Sequence, residues 1–154
     1  MYQRILVPVD GSSTSNRGLD EAIKLAKLTG ASLRLIHVVD ALTFATGSEL
    51  YGVYASDVVP KMKELGQQTL EQAKTRVQQQ GVKVDTLLFD SLPTGVSEIV
   101  VEQARTWPAD LIVIGTHGRR GVRRLLLGSD AEQIMRLAPV PVLLVRSAEV
   151  AGQA

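Results

Sequence analysis

Apolar residues fall along this chain in short runs that alternate with longer stretches of helical period. Residues 5–9 form an apolar run closed by Asp10, Gly11, Ser12 and Ser13, which are turn and cap residues, so the pattern predicts a buried strand leading into a helix. Between residues 15 and 28, Leu19, Ala22, Ile23 and Ala26 recur at helical spacing, and Gly30 stands where a left-handed cap would end that helix. Residues 32–39 read as a second strand. Residues 41–56 lack a clear period and hold Gly47, Gly52, Phe44, Tyr51 and Tyr54, which predicts a long loop, helical in part, of the kind that often carries function.

Pro60 suits a helix start, and Met62, Leu65, Thr69, Leu70, Ala73 and Val77 mark one helical face up to Gly81. A third strand is predicted over 82–89. Behind Pro93, Val96, Ile99, Val100 and Gln103 or Ala104 give a third helix, closed by Trp107-Pro108. Residues 111–114 are all apolar and predict a fourth strand covered on both faces. A loop rich in glycine and arginine runs to Gly128, Ser129 with Glu132 suggests a capping box for a last helix through Ala138, and 139–145 supply a fifth strand.

Five apolar strands alternating with four helices imply an α/β fold: an open, doubly wound, Rossmann-like parallel sheet with helices on both faces, since each parallel connection needs a crossover. No internal repeat or linker divides the chain. The expected layout is a single domain over 1–147 and a flexible tail over 148–154. In such folds ligands bind outside the carboxyl ends of the strands, where strand order reverses. That directs attention to the residues after strands one, two and four.

Composition narrows the chemistry. The 154 residues suit one domain, and at this length a fold buries roughly 70% of the surface of the unfolded chain, so no disulfide or metal staple is required. There is no cysteine, which excludes thiolate catalysis, cysteine-ligated zinc and iron–sulfur clusters and is compatible with a reducing compartment. Seventeen basic against sixteen acidic residues leave a net charge of +1, which argues against a protein that coats nucleic acid. No apolar stretch approaches the roughly 18 residues of a membrane span, and the first residues do not read as a secretory signal. The expectation is a soluble cytoplasmic protein with no nucleic-acid or membrane partner.

Strand four is followed by Gly115, Thr116, His117 and Gly118, then nine residues, then Gly128 and Ser129. Closely spaced glycines let backbone N–H groups approach an anion, and a helix N-terminus favours phosphate. The competing reading is that the glycines only turn a loop and Ser129 only caps a helix. Arg119, Arg120, Arg123 and Arg124 lie in the same stretch, with no acid between Asp110 and Asp130. Guanidinium groups suit phosphate oxygens, but four arginines on one loop are more often a solvated surface, so at most one or two, Arg119 among them, are expected to reach a nucleotide. Asp130 works against a triphosphate at the same helix end.

Asp10, at the end of strand one, can accept from ribose hydroxyls or help hold hydrated magnesium, or it can simply make an Asx turn. Val38, after strand two, offers backbone groups able to read an adenine edge, or it is core. His37 and His117 are the only histidines and make a poor metal pair; His37 reads as a satisfied strand-end residue and His117 as a backbone donor in the loop. No G-x-x-x-x-G-K-[ST] loop, G-x-G-x-x-G fingerprint, G-x-S-x-G elbow or converging nucleophile, base and orienting group is present.

Taken together these residues resemble the universal stress protein family over nearly the whole length. The resemblance is carried by Ile5-Leu6-Val7-Pro8-Val9-Asp10-Gly11-Ser12, by Asp110-Leu111-Ile112-Val113-Ile114-Gly115-Thr116-His117-Gly118, by Gly128-Ser129 and by Ala138-Pro139-Val140-Pro141-Val142-Leu143-Leu144-Val145. The nucleotide-binding branch of that family is marked by G-x2-G-x9-G-[ST], matched at Gly115, Gly118, Gly128 and Ser129. The resemblance implies a sheet of the adenine nucleotide alpha hydrolase-like type, homodimers joined through the last strand (140–145, from Val140 to Val145), and ATP, ADP or AMP, with magnesium, at the strand ends. By position, Pro8, Val9 and Asp10 would line the adenosine side and Val38 would contact adenine. Ile114, Gly115, His117, Gly118, Gly128 and Ser129 would surround ribose and phosphates. Asp130 stands where the family more usually has a small or apolar residue.

The function expected from this is an ATP-binding stress-response regulator, not an enzyme, whose nucleotide occupancy tunes conformation or the binding of an unidentified protein partner. The first alternative is a nucleotide-free dimerisation module on the same fold. A second, an ATP-splitting enzyme, would need an H-x-G-H or S-G-G-x-D-S type loop after strand one, and Asp10-Gly11-Ser12-Ser13 is neither.

Overall fold

The computed structural model describes residues 1–39, 51–90, 94–116 and 127–146, with 51–57 described through the backbone alone. Among the described residues nine elements follow one another in chain order: β1 (Arg4–Pro8), α1 (Ser13–Thr29), β2 (Ser32–Val39), α2 (Tyr51–Gln79), β3 (Val84–Asp90), α3 (Val96–Thr106), β4 (Leu111–Gly115), α4 (Ser129–Leu137) and β5 (Val142–Val145). The strands form one five-stranded sheet in the order β3-β2-β1-β4-β5, and every pairing is parallel. The expected fold class is therefore the observed one. β1 lies in the middle, with β2 on one side and β4 on the other, so the strand order reverses between β1 and β4.

Alternation along the strands builds two apolar layers. Ile5, Val7, Val9, Leu33, Leu35, Leu111 and Val113 point to one face, where α1 (Leu19, Ala22, Ala26) and α2 (Leu70, Ala73, Val77) cover them. Leu6, Ile36, Ile112 and Ile114 point to the other, beneath α3 (Val100, Ala104) and α4 (Ala131, Ile134). Ile5, Leu6, Leu33, Leu35, Ile36 and Ile112 are among the fully buried side chains, as expected of strands sandwiched between helices.

α1 ends at Gly30, whose φ of 77° is the left-handed conformation that glycine adopts without a Cβ penalty, and its N–H donates to the Ala26 carbonyl. Several expected boundaries are corrected. α2 starts at Tyr51 and carries Pro60 inside it, not at its start. Proline has no N–H to give to the carbonyl four residues back, yet the helix continues on the strength of the face it packs farther along. On that face Leu65 is exposed and Gly66 is buried instead. β3 begins at Val84 after the turn at Gly81, and β5 begins only at Val142. Pro139 and Pro141 have no N–H for a ladder, though the Pro141 carbonyl still accepts from Ile112 N–H at 3.0 Å. Of the loop expected over 41–56, residues 51–56 belong to α2, while 41–50 and the expected tail 148–154 lie outside the described residues.

Asp110 ties the start of β1 to the start of β4. Its carboxylate accepts from Gln3 N–H (2.8 Å) and Arg4 N–H (3.1 Å), while its own N–H donates to the Arg4 carbonyl at 2.9 Å. Replacing Asp110 by Ala removes both side-chain acceptors, and the expected loss is about 1–2 kcal/mol, read as a lower urea midpoint with unchanged m-value.

Candidate functional site

The carboxyl end of β1 runs into a turn locked by its own side chains. Val9 N–H makes a sheet-like bond to the Ile36 carbonyl (2.8 Å), and Gly11 follows with φ 81°. Asp10 Oδ1 accepts from Ser12 N–H at 2.9 Å, Asp10 N–H donates to Ser15 Oγ at 3.1 Å, and Ser12 Oγ accepts from Ser15 N–H at 3.2 Å. The first two residues thus make an Asx turn, and Ser12 is the N-cap of α1. The Asx turn expected as one role of Asp10 is made through its Oδ1, at a half-buried position on the rim of the sheet.

Beside it, β4 ends at Gly115. A Cβ there would lie 2.8 Å from the Thr14 carbonyl oxygen and 2.9 Å from its carbon, so the first turn of α1 rests directly on the strand end. Gly18, one turn on, faces the same spot: its Cβ would sit 3.3 Å from Gly115 N. Thr116, which is buried, donates its N–H to the Val145 carbonyl (3.0 Å) and accepts from Gly128 N–H (2.8 Å). The chain that leaves at Thr116 therefore returns at Gly128 to the same point. Gly115, Thr116, Gly128 and Ser129, separated by a loop in sequence, are brought together at the end of β4.

α4 starts there, with Gly128 as its N-cap in extended conformation (φ −61°, ψ 151°) and Ser129 as its first helical residue. The expected capping box is thus corrected. Gly128 already supplies the carbonyl that accepts from Glu132 N–H at 2.9 Å, so Ser129 enters the helix instead of capping it. The N–H groups of Ser129 and Ala131 stand ahead of that first helical bond. With the start of α1 beside β1, two helix N-termini flank the reversal of strand order, and partial positive charge gathers there.

Of the residues expected at the site, Pro8, Val9, Asp10, Ile114, Gly115, Gly128 and Ser129 fall on these two strand ends or on the start of α4, and Val38 lies at the neighbouring end of β2. Ile114 is buried in the layer beneath α3 and α4, so only its backbone can face a ligand. His117, Gly118 and Arg119, with Arg120, Arg123 and Arg124, lie outside the described residues. Sequence reasoning passed over Gly18 and Gly66; their signal was a glycine at a face-forming position inside a helical period.

Among the described residues, no group of three histidine or acidic side chains converges as a metal site, and no helix is long and apolar enough to cross a membrane. A groove of about 460 Å³ opens at the opposite, amino edge of the sheet, lined among others by Arg4, Lys83, Asp85 and Trp107. Two of those walls are engaged by Arg34, which pairs with Asp85 at 2.8 Å and lies 4.6 Å from the Trp107 ring centre. The groove is a feature of that sheet edge, remote from the reversal point.

The model of the universal stress protein family matches residues 1–146. The chain belongs to that family. Among universal stress proteins, MJ0531 of Methanocaldococcus jannaschii is 37% identical over 146 residues, covering 95% of this chain and 83% of that protein. Of the solved structures, hypothetical protein MJ0577 matches with a TM-score of 0.79 and 27% identity, over 95% of this chain and 96% of its own. A universal stress protein solved in complex with cAMP matches with a TM-score of 0.65 and 25% identity, over 96% and 98%.

The contact of Gly115 with Thr14 is backbone to backbone, so no flexible side chain can yield. Gly115→Ala is expected to lower the stability of this universal stress protein by about 1–3 kcal/mol with no ligand present, measured by urea unfolding. Unchanged stability would show that α1 does not rest on the strand end.

Proposed function

We propose that the chain is an adenine-nucleotide-binding stress-response protein of the branch with the G-x2-G-x9-G-[ST] signature, in which ATP occupancy alters conformation or partner binding. The observation that carries the reading is the convergence of the Asp10 turn, the Gly115-Thr116 strand end and the Gly128-Ser129 helix start at the reversal of strand order. Backbone donors and two helix N-termini are the groups that hold phosphate, and the bound cAMP of one structural relative supports adenine as the base. Pro8, Val9 and Asp10 line the nucleoside side and Val38 faces the base edge. Gly115, His117, Gly118, Arg119, Gly128 and Ser129 hold ribose and phosphates, with the Ile114 backbone beneath them. Asp10 is the carboxylate suited to a hydrated magnesium ion that accompanies the phosphates.

The protein holds its ligand and does not transform it at a useful rate. The turn after β1 lacks the loops that split ATP; its Ser12 hydroxyl caps α1, its Ser15 hydroxyl accepts from Asp10 N–H, and Asp10 Oδ1 closes the turn. Asp130 and Glu132 in the first turn of α4 oppose a triphosphate more than a monophosphate. A cytoplasmic location suits a cysteine-free chain. A second reading, a nucleotide-free interaction module, draws support from the structural work already done by Asp10 and Gly115.

Titration with ATP and magnesium separates the two readings. Wild type is expected to bind, and Gly118→Val to bind at least about tenfold more weakly; equal affinities, or no adenine compound in the mass spectrum of the purified protein, favour the interaction module.

The protomers pair through β5, which is an edge strand of the sheet. Met135, Leu137 and Leu143 leave an exposed apolar strip on α4 and β5, which a second copy would cover. Sedimentation should report a dimer for wild type and a shift toward monomer for Leu143→Lys; a monomeric wild type defeats this assignment.

A further inference from the structure

His37 is a buried polar side chain, 9% exposed, near the end of β2. Its Nδ1 lies 2.8 Å from the Val9 carbonyl oxygen. A carbonyl only accepts, so Nδ1 carries the proton and the ring donates.

The consequence follows from the direction of the peptide groups in β2. Ser32 N–H donates to the Gln3 carbonyl and the Ile36 carbonyl accepts from Val9 N–H, so even-numbered residues turn their peptide groups toward β1. Leu33 N–H donates to the Lys83 carbonyl, so odd-numbered residues turn toward β3. Val38 therefore presents both its N–H and its C=O on the β1 side. There β1 has ended: its pairing with β2 stops at Pro8 and Ile36, and the Val9-to-Ile36 bond is the last rung. One further rung would join Val38 N–H to the Val9 carbonyl, and that carbonyl is the one His37 takes.

The ring is seated by α2. A Cβ at Gly66 would lie 2.5 Å from His37 Cδ2, 2.9 Å from Nε2 and 3.1 Å from Leu88 Cδ1. Only glycine leaves room for the ring at this height of the helix.

We propose that His37 is a positioning residue for base recognition: its Nδ1–H draws the Val9 carbonyl out of the sheet ladder and keeps the Val38 peptide edge open at the cleft. This rests on the nucleotide reading above and names what sets its base specificity. An open N–H beside a C=O matches adenine, which offers the N1 acceptor and the amino donor. Hypoxanthine offers N1–H and a carbonyl oxygen, so it meets donor with donor and acceptor with acceptor. A purely structural His37 would affect stability and leave base discrimination alone.

Two measurements on nitrogen-15-labelled full-length protein test this: amide exchange of Val38 without nucleotide, and the ratio of affinities for ATP and inosine triphosphate. In wild type, Val38 N–H is expected to exchange much faster than Ile36 N–H inside the ladder. His37→Leu should slow that exchange and reduce the affinity ratio about tenfold, whereas His37→Asn, whose amide nitrogen can replace Nδ1, should keep both near wild type. Gly66→Ala, which displaces the ring from outside the cleft, should move both readouts the way His37→Leu does. A wild-type Val38 amide as protected as Ile36 overturns the proposal, as does a ratio unchanged in His37→Leu. Should His37→Leu fail to fold, an unchanged ratio in Gly66→Ala overturns it. Failure of wild type to bind either nucleotide sinks the nucleotide reading and base recognition with it, and Val38 exchange still decides whether His37 holds the carbonyl.

Discussion

The seating of α1 on the carboxyl end of β4 is the constraint from which the rest of this structure follows. Gly18 and Gly115 remove the side chains that would hold helix and strand apart, and the Thr14 backbone comes to rest on the strand end. Since α1 begins directly after β1, this contact fixes the start of the helix at the point where strand order reverses. The turn made by Asp10, Ser12 and Ser15 then has little freedom left, and its hydrogen bonds close around it. On the far side of the same strand end, Thr116 receives the returning chain at Gly128 and delivers the start of α4. Two helix N-termini thus share one edge because two glycines allow a close approach.

The neighbouring strand end is governed by a similar contact. Gly66 admits the His37 ring beneath α2, and the ring meets the Val9 carbonyl. In both places a missing Cβ lets a helix lie close on the sheet, and at the end of β2 the ring so seated meets the Val9 carbonyl. The strand ends beside the reversal are thus shaped by helix packing, and among the described residues the Val9 carbonyl, the Thr116 peptide and the Gly128 N–H are held there.

Much of this was legible in the sequence, for reasons that can be stated residue by residue. The apolar runs at 5–9 and 111–114 and the stretch 32–39, rich in branched apolar residues, are short enough to be strands, and parallel strands require crossover helices. Gly30 marked the end of α1 because a left-handed residue there is almost free for glycine. Pro60 misled, because a proline that suits a helix start was tolerated inside a helix anchored by Leu70, Ala73 and Val77. Ser129 misled in the same way: a serine with glutamate three residues on reads as a capping box, but the carbonyl of Gly128 had already taken the capping position.

The sequence by itself determined the layers, the order of elements and the glycine spacing, because these depend on local periodicity and on residues whose conformational preferences are intrinsic. Only the tertiary structure decided what the glycines are for. Gly115 reads in sequence as one member of a phosphate loop, and in space it is also the seat of α1. His37 and Gly66, in different elements, become partners only when α2 lies on β2. Such meanings rest on what a Cβ at each glycine would strike, and that is set by how the helices pack on the sheet, which no local pattern encodes.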